Sequence, residues 1–303
     1  MTPDAFRNAL ILTGPTGSGK SRLALDLAER LDAEILAMDS MTLYRGMDVG
    51  TAKPTADDRA RVPHHLLDVL DPSQSASVAL WLQLAARAVR DIEARGRQAL
   101  LVGGTALYLK AVLCGLFDGP PADAALRRCS KRRRSNSASA GTARPASARR
   151  RSGGRGALHP NDAPRRTRLE VHSLTGRPIS AWQTQWAERP PAVEAVCLDL
   201  PREQLYQRID ARVLQMMRDG LLDEVRRLRT LDPPLSREAR QALGYKELLD
   251  HLDGRRPLDE AVREVQTRSR NFAKRQLTWF RGLPGVRMAS SELTMERWRS
   301  RMR

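Results

Sequence analysis

The residues best suited to chemistry form the run GPTGSGKS near the start of the chain. Its spacing matches the phosphate-binding pattern GxxxxGK[ST], in which backbone N–H groups and the N-terminus of the next helix hold phosphate oxygens. Lys20 adds a positive charge, and the Ser21 hydroxyl is a predicted ligand of Mg²⁺. The run therefore predicts a phosphorylated ligand. The predicted phosphate-binding residues are Gly14, Pro15, Thr16, Gly17, Ser18, Gly19, Lys20 and Ser21.

The flanking segments supply the elements that this pattern requires. The apolar run NALILT comes before it, and SRLALDLAERL follows with Leu23, Leu27 and Leu31 at the spacing of one buried helix face. AEILAM, QALLVGG and VEAVCLDL are further predicted strands, and TALYLKAVLCGL is a predicted helix. We predict one long helix over 202–229 and a helical, basic region over 235–281 with breaks near Gly254 and Pro257. Strands that alternate with helices predict an α/β fold with a parallel sheet.

Composition narrows the class of protein. Hydrophobic residues make up 41% of the 303 residues, enough for a sizeable core. The three cysteines lie far apart and form no CxxC pair, which argues against a disulfide framework and a four-ligand zinc site and fits a reducing cytoplasm. The N-terminus lacks the pattern of a signal peptide, and no stretch approaches the ~20 apolar residues of a membrane span. We therefore expect an intracellular, cytoplasmic protein.

The formal net charge of +17 favours a nucleic-acid partner, but the charge is unevenly distributed. The stretch 127–157 holds 11 Arg or Lys residues, so the rest of the chain carries 17 − 11 = +6. This stretch contains no acidic residue and no Val, Ile, Leu, Met, Phe, Trp or Tyr. It cannot form a core face, and we expect it to be disordered.

Asp39 stands at the end of the second predicted strand, where groups converge on ligands in open α/β sheets. Its carboxylate fits a metal ligand, a general base or the N-cap of the next turn. The segment that follows, over 39–54, mixes glycines, aromatic residues and charges in DSMTLYRGMDVGTAKP. Such a composition is typical of a loop that contacts substrate.

The segment 39–54 resembles the signature D-S-x-x-x-Y-[RK]-G-M-D-[IV]-G-T-A-K-P of bacterial tRNA dimethylallyltransferases, the IPP transferase family. Further segments similar to the family occur in the family's order and cover most of the chain. They are PHHLLD, DPSQ, GGTALY, HPND, LTG, GYKE and KRQLTWFR. The resemblance implies a P-loop core over 1–118 and 191–303, with a mainly helical, tRNA-binding insert over 119–190.

The resemblance also implies a reaction. The phosphate loop would hold dimethylallyl diphosphate, and its prenyl group would pass to N6 of the adenosine just 3′ of the anticodon, in tRNAs reading codons that begin with U. Asp39 matches the family's proposed base, and Arg212 matches an arginine important for turnover. Thr105 matches a position that touches the adenosine or its neighbours. From the residues alone, Arg212 reads as an exposed helical arginine.

The implied partners are tRNA and dimethylallyl diphosphate, with Mg²⁺ as cofactor, no membrane and a monomeric chain. Lys274, Arg275 and Arg281 are candidates to hold RNA phosphates, or form a solvated helix face. His64 and His65 lack nearby ligand partners in the sequence, so we interpret them as structural. The predicted tRNA-binding residues are Asp39, Ser40, Met41, Thr42, Thr105, Arg127, Pro164, Arg165, Arg166, Thr167, Arg168, Gln241, Ala242, Leu243, Gly244, Tyr245 and Lys246.

The stretch 127–157 departs from the family, which has an amphipathic helical insert there. GC-rich coding DNA read out of frame gives Arg, Ser, Ala, Gly and Pro, which fill this stretch. We hypothesise compensating insertions and deletions near codons 127 and 157, and resequencing that finds an intact frame would refute this. The alternative functions are an adenylate isopentenyltransferase acting on free AMP, ADP or ATP, a small-molecule P-loop kinase, and a non-catalytic RNA-binding protein.

Overall fold

The computed structural model describes residues 3–116, 176 and 193–298, and the elements below are numbered over these residues. The two long ranges belong to one compact unit. The predicted helical insert over 119–190, with its basic stretch 127–157, lies outside the described residues apart from Gly176.

A parallel sheet forms the centre of this unit. Its strands in the described residues follow the order β3-β2-β4-β1-β5-β6, and every pairing is parallel. All residues of β1, β2 and β5 are buried, as expected for strands covered by helices on both faces. The predicted α/β fold is confirmed. The strands are β1 Leu10–Thr13, β2 Ala33–Ala37, β3 His64–His65, β4 Gln98–Gly103, β5 Ala195–Leu198 and β6 Val286–Ala289.

Helices pack against the sheet and make up most of the second long described range, 193–298. Helix α1 buries Leu23, Leu27 and Leu31, the face that the leucine spacing predicted. Within the described ranges, every helix is too short or too polar to span a bilayer. The helices are α1 Lys20–Leu31, α2 Ala56–Arg61, α3 Val78–Ala94, α4 Ala106–Cys114, α5 Arg202–Arg218, α6 Leu221–Arg229, α7 Arg237–Arg240, α8 Tyr245–Leu252, α9 Leu258–Arg281 and α10 Ser291–Arg297.

The single long helix predicted over 202–229 is wrong. The chain forms two helices, α5 and α6, because Gly220 adopts a left-handed conformation with φ of 92° and becomes the N-cap of α6. The breaks predicted near Gly254 and Pro257 are confirmed, since α8 ends at Leu252 and α9 begins at Leu258.

The sheet topology brings the chemically interesting segments to one edge. Strand β1 pairs with β4, and β4 pairs with β2, so the carboxyl ends of all three lie side by side. The phosphate-binding run follows β1, Asp39 follows β2, and Gly104 and Thr105 follow β4. Helices α5 and α9 pack together through an apolar cluster of Leu205, Ile209 and Ala273.

Candidate functional site

The glycine-rich run forms a tight loop between β1 and α1. Gly17 and Gly19 have φ of 81° and 86°, which residues with side chains rarely adopt. A Cβ atom on Gly17 would approach the Ile209 side chain of α5 to 2.8 Å. Helix α1 begins at Lys20, so the free N–H groups at the N-terminus of this helix lie directly after the loop.

A cavity of about 510 Å³ lies beside this loop, within the size range of small-molecule sites. Its wall brings together most of the residues that the sequence singled out, from segments far apart in the chain. The predicted site residues on the wall are Thr16, Lys20, Ser21, Asp39, Ser40, Met41, Thr42, Thr105, Arg212, Gln241, Ala242, Leu243, Gly244 and Tyr245.

The remaining predicted residues are placed differently. Lys246 is half-buried in the first turn of α8 and is not on the cavity wall. Gly14, Pro15, Gly17, Ser18 and Gly19 are also absent from the wall and form the body of the loop. Arg127, Pro164, Arg165, Arg166, Thr167 and Arg168 lie outside the described residues.

Two cations meet next to the loop. Burial, and then repulsion from Arg212, lower the pKa of Lys20 to about 8, and attraction to Asp39 opposes this shift. Burial likewise lowers the pKa of Arg212. Its guanidinium donates to the Thr16 hydroxyl at 3.5 Å. Arg212 is therefore half-buried at the cavity, and the interpretation of this residue as an exposed helical arginine is wrong.

Asp39 has two contacts that bear on its role. Its Oδ1 accepts a hydrogen bond from the Met41 N–H at 2.8 Å, which caps the turn after β2. The same half-buried side chain also lines the cavity. Capping and catalysis are thus compatible at this position, because a carboxylate can accept several hydrogen bonds.

Thr105 joins the ends of two strands. Its hydroxyl oxygen accepts from the Ser40 N–H at 3.1 Å, next to Asp39, and its own N–H donates to the Met38 carbonyl at 3.3 Å. The segment that follows β4 is thereby held against the segment that follows β2. Asp39 and Thr105, which the family resemblance assigns to the acceptor side of the implied reaction, both line this cavity.

Three buried polar residues organise this cavity and were not singled out from the sequence. Glu224 binds the loop 48–50, and Gln276 binds the phosphate loop. Glu247 accepts from the Gly244 N–H at 2.8 Å and pairs with Arg268. One signal was available, because Glu247 stands three residues after Gly244, the spacing of a capping box. The other two bind segments distant in sequence, which no local pattern reveals.

His64, His65 and Arg281 have ordinary polar partners. His64 Nδ1 lies 2.7 Å from the Val62 carbonyl, and His65 Nε2 lies 2.6 Å from Glu34. In the ranges that the structure describes, no three His, Cys, Asp or Glu residues cluster as a metal site. Arg275 lines the cavity, whereas Lys274 is exposed and Arg281 pairs with Asp199 at 3.6 Å.

The fold and the cavity define a P-loop α/β protein in which a phosphate cradle and a carboxylate face one ligand space. The model of the family described as IPP transferase matches residues 42–283. The chain belongs to this family.

Individual relatives support the same assignment. The tRNA dimethylallyltransferase 1 of Trichlorobacter lovleyi is 45% identical over 280 residues, which cover 91% of this chain and 92% of that protein. The tRNA dimethylallyltransferase of Geobacter metallireducens is 44% identical, covering 90% and 89%. These relatives favour the resemblance seen in the sequence over an adenylate isopentenyltransferase or a small-molecule kinase.

Solved structures show the same fold. The full-length tRNA isopentenylpyrophosphate transferase from Bacillus halodurans matches with a TM-score of 0.70 and 35% identity, covering 97% of this chain and 95% of that one. A eukaryotic dimethylallyltransferase acting on tRNA matches with a TM-score of 0.69 at 24% identity, covering 95% and 75%.

Proposed function

We propose that the protein transfers the dimethylallyl group from dimethylallyl diphosphate to N6 of the adenosine 3′-adjacent to the anticodon, in tRNAs reading codons that begin with U, and releases diphosphate. One observation carries the proposal: a single cavity is lined both by the phosphate-loop residues Lys20 and Ser21 and by Asp39 and Thr105. A donor diphosphate and an acceptor base can therefore share one site.

The diphosphate end of the donor would bind at the loop. Lys20 and Arg212 supply positive charge, and the N-terminus of α1 supplies N–H groups. The exposed Ser21 hydroxyl lines the same cavity and is the hard oxygen donor proposed for Mg²⁺, which would keep several of its own waters and bind diphosphate oxygens as well. Bound there, Mg²⁺ would neutralise charge on the departing diphosphate.

The prenyl end of the donor needs an apolar surface. Ile209, Val213 and Met216 of α5 line the cavity on the same helix face as Arg212. Val265 of α9 adds to this wall. A five-carbon chain that extends from a diphosphate at the loop would meet these side chains, which exclude water from the reacting carbon.

The chemistry is a displacement at the allylic carbon. The N6 amine of adenosine forms the new C–N bond, the C–O bond to diphosphate breaks, and the N6 proton passes to Asp39 as general base. The amine is a weak nucleophile because its lone pair is delocalised into the purine ring, so a positioned base accelerates the step. Arg212 and Lys20 stabilise the negative charge that develops on the leaving diphosphate.

The acceptor would enter from the side opposite the phosphate loop. The target base has to leave its stack to reach the donor, and bases in RNA loops are recognised by contacts to their edges and faces. Residues 39–42, Thr105 and 241–246 are the proposed tRNA contacts in the described ranges. Arg127 and 164–168 are proposed contacts outside them. We further propose a monomeric enzyme that acts in the cytoplasm.

The test is transfer of labelled dimethylallyl diphosphate, with Mg²⁺, to unmodified tRNA and in parallel to AMP. We expect label on tRNA, lost in Asp39→Ala and retained in the control Asp57→Ala. Asp57 is exposed in the first turn of α2 and does not line the cavity. Label on tRNA would also show that the aberrant stretch 127–157 is dispensable.

The other outcomes are equally distinct. Label on AMP alone would assign the chain to the adenylate isopentenyltransferases. Label on neither acceptor would contradict the proposed activity for this version of the chain. Replacement of 127–157 by a family-like amphipathic insert would then show whether that stretch is the cause.

A further inference from the structure

Gln276 of α9 uses both ends of its side-chain amide to join two distant segments. Its Oε1 accepts a hydrogen bond from the Thr16 N–H at 2.9 Å, and its Nε2 donates to the Gly104 carbonyl at 2.7 Å. The side chain is buried, with 5% of the residue exposed. Each end is therefore committed to one backbone group of the opposite hydrogen-bonding type.

The two segments joined in this way belong to opposite halves of the proposed reaction. Thr16 lies in the loop that would hold the donor diphosphate. Gly104 directly precedes Thr105, whose hydroxyl holds Ser40 and thereby the turn after Asp39. One amide thus connects the phosphate cradle to the wall that carries the proposed base.

The chemistry of this bridge requires a primary amide at this length. A carboxylate would lack the donor for the Gly104 carbonyl, and an aliphatic side chain would leave both backbone groups without a partner. The approach is close on both sides, because a Cβ atom on Gly104 would lie 2.5 Å from Gln276 Nε2. Glycine at this position is what lets the amide reach the turn.

We propose that Gln276 is a positioning residue that fixes the separation between the phosphate loop and the Asp39–Thr105 wall, and so the approach of N6 to the allylic carbon. The inference rests on the proposed function. Gln276 acts through the backbone of Thr16 and Gly104, so its loss would disturb alignment of the two substrates more than binding of either.

The experiment compares Gln276→Met and Gln276→Asn in the full chain. Methionine preserves side-chain length and removes both hydrogen bonds, and asparagine preserves the amide but is one methylene too short to reach both partners. The matched control is Gln266→Met on the same helix. Gln266 donates to the Asp210 carbonyl at 3.3 Å and is not on the cavity wall.

We expect kcat for prenyl transfer to tRNA to fall about 10- to 100-fold in both Gln276 variants, because small misplacements of reacting groups have effects of this size. The KM for dimethylallyl diphosphate, and its affinity by calorimetry, should change less than about threefold, since Lys20, Arg212 and the N-terminus of α1 remain to bind the diphosphate. The control should retain both parameters, and assays should run well below the melting temperature of each variant.

Unchanged kcat in both variants would overturn the inference. So would a fall in kcat/KM that comes entirely from a higher KM for dimethylallyl diphosphate, or a fall in kcat that matches a smaller folded fraction, because a purely structural role predicts those patterns. A wild-type chain that transfers nothing to tRNA would overturn the proposed function and this inference together. An active wild type with equally active variants would overturn the inference alone.

Discussion

The Tyr245 hydroxyl donates a hydrogen bond to Glu224 Oε1 at 2.6 Å, and both residues are 1% exposed. Glu224 Oε2 accepts from the N–H groups of Asp48 and Val49 at 2.8 Å each, and Oε1 also accepts from the Gly50 N–H at 3.1 Å. Burial and the neighbouring Glu224 carboxylate raise the pKa of Tyr245. The Glu224 carboxylate, on α6, thereby holds the loop 48–50 against α6 and α8.

Glu224→Gln should destabilise the protein and impair transfer. The glutamine NH₂ group would face N–H donors, so we expect the free energy of unfolding to fall by about 2–4 kcal/mol. Turnover should fall as well, because Gly50 and the residues up to Pro54 line the cavity. Tyr245→Phe removes one hydrogen bond and should lower the free energy of unfolding by only about 1 kcal/mol. Urea unfolding of the two variants measures both changes in the free energy of unfolding.

The control for these two variants is Asp223→Asn. Asp223 directly precedes Glu224 in α6. Asp223 is exposed and pairs with Arg226 on the surface, so its replacement should change stability by less than about 0.5 kcal/mol. Equal effects of Glu224→Gln and Asp223→Asn would show that the buried carboxylate does not organise the loop.

Asp39→Asn separates the two roles of Asp39. The asparagine oxygen can still accept from the Met41 N–H, so stability should stay within about 0.5 kcal/mol of wild type. Transfer to tRNA should fall about 10²- to 10⁴-fold, because an amide cannot take the N6 proton. Affinity for dimethylallyl diphosphate should hold or improve, since a negative charge near the diphosphate is removed. Wild-type turnover in this variant would show that Asp39 caps the turn after β2 and does not act as the base.

The sequence predicted the elements that are encoded locally. The leucine spacing of α1, the apolar strands and the GxxxxGK[ST] run each specify structure within a dozen residues, and β1, α1, β2, β4, α4 and β5 follow from them. The break at Gly220 was missed because the helical pattern continues on both sides of it. Helix α3 and strands β3 and β6 were not predicted, and β3 has only two residues.

The candidate site was predictable where chemistry depends on residue type in a motif. Lys20, Asp39 and Thr105 follow three strands whose ends must meet in a parallel sheet, so their proximity was implied by the topology. The partners of Glu224 and Gln276 could not be predicted, because they are backbone groups of segments distant in sequence. Such contacts depend on tertiary packing, which a single sequence does not display.

Arg212→Met should slow transfer without harming the fold. The guanidinium is held beside Lys20 at the cost of desolvation, so its removal should leave the melting temperature unchanged or higher. We expect kcat to fall about 10²-fold, because a cation facing the leaving diphosphate is lost. The control Arg218→Met changes an exposed arginine at the end of α5 that does not line the cavity. A lower melting temperature with unchanged kcat would assign Arg212 a structural role instead.

Binding of dimethylallyl diphosphate should weaken as the pH rises through about 8, the value to which burial and then Arg212 lower the pKa of Lys20. The protonated amine binds the anion, and at pH 9 about one-tenth of the ligand-free molecules retain it. The Kd should therefore be roughly tenfold higher at pH 9 than at pH 7. The terminal phosphate, whose second pKa is about 6, loses its last protons near pH 7, and this change would strengthen binding, so the weakening belongs to the protein. Isothermal titration calorimetry across this interval measures the dependence.

Two variants test the assignment of this pH dependence to Lys20. Lys20→Arg should remove it, since a guanidinium stays charged throughout. Arg212→Met should move the midpoint to higher pH, because Arg212 is one of the two causes that lower the pKa of Lys20. Asp39→Asn should move it the opposite way, because attraction to Asp39 raises that pKa. A midpoint that stays fixed in both Arg212→Met and Asp39→Asn would place the titrating group elsewhere.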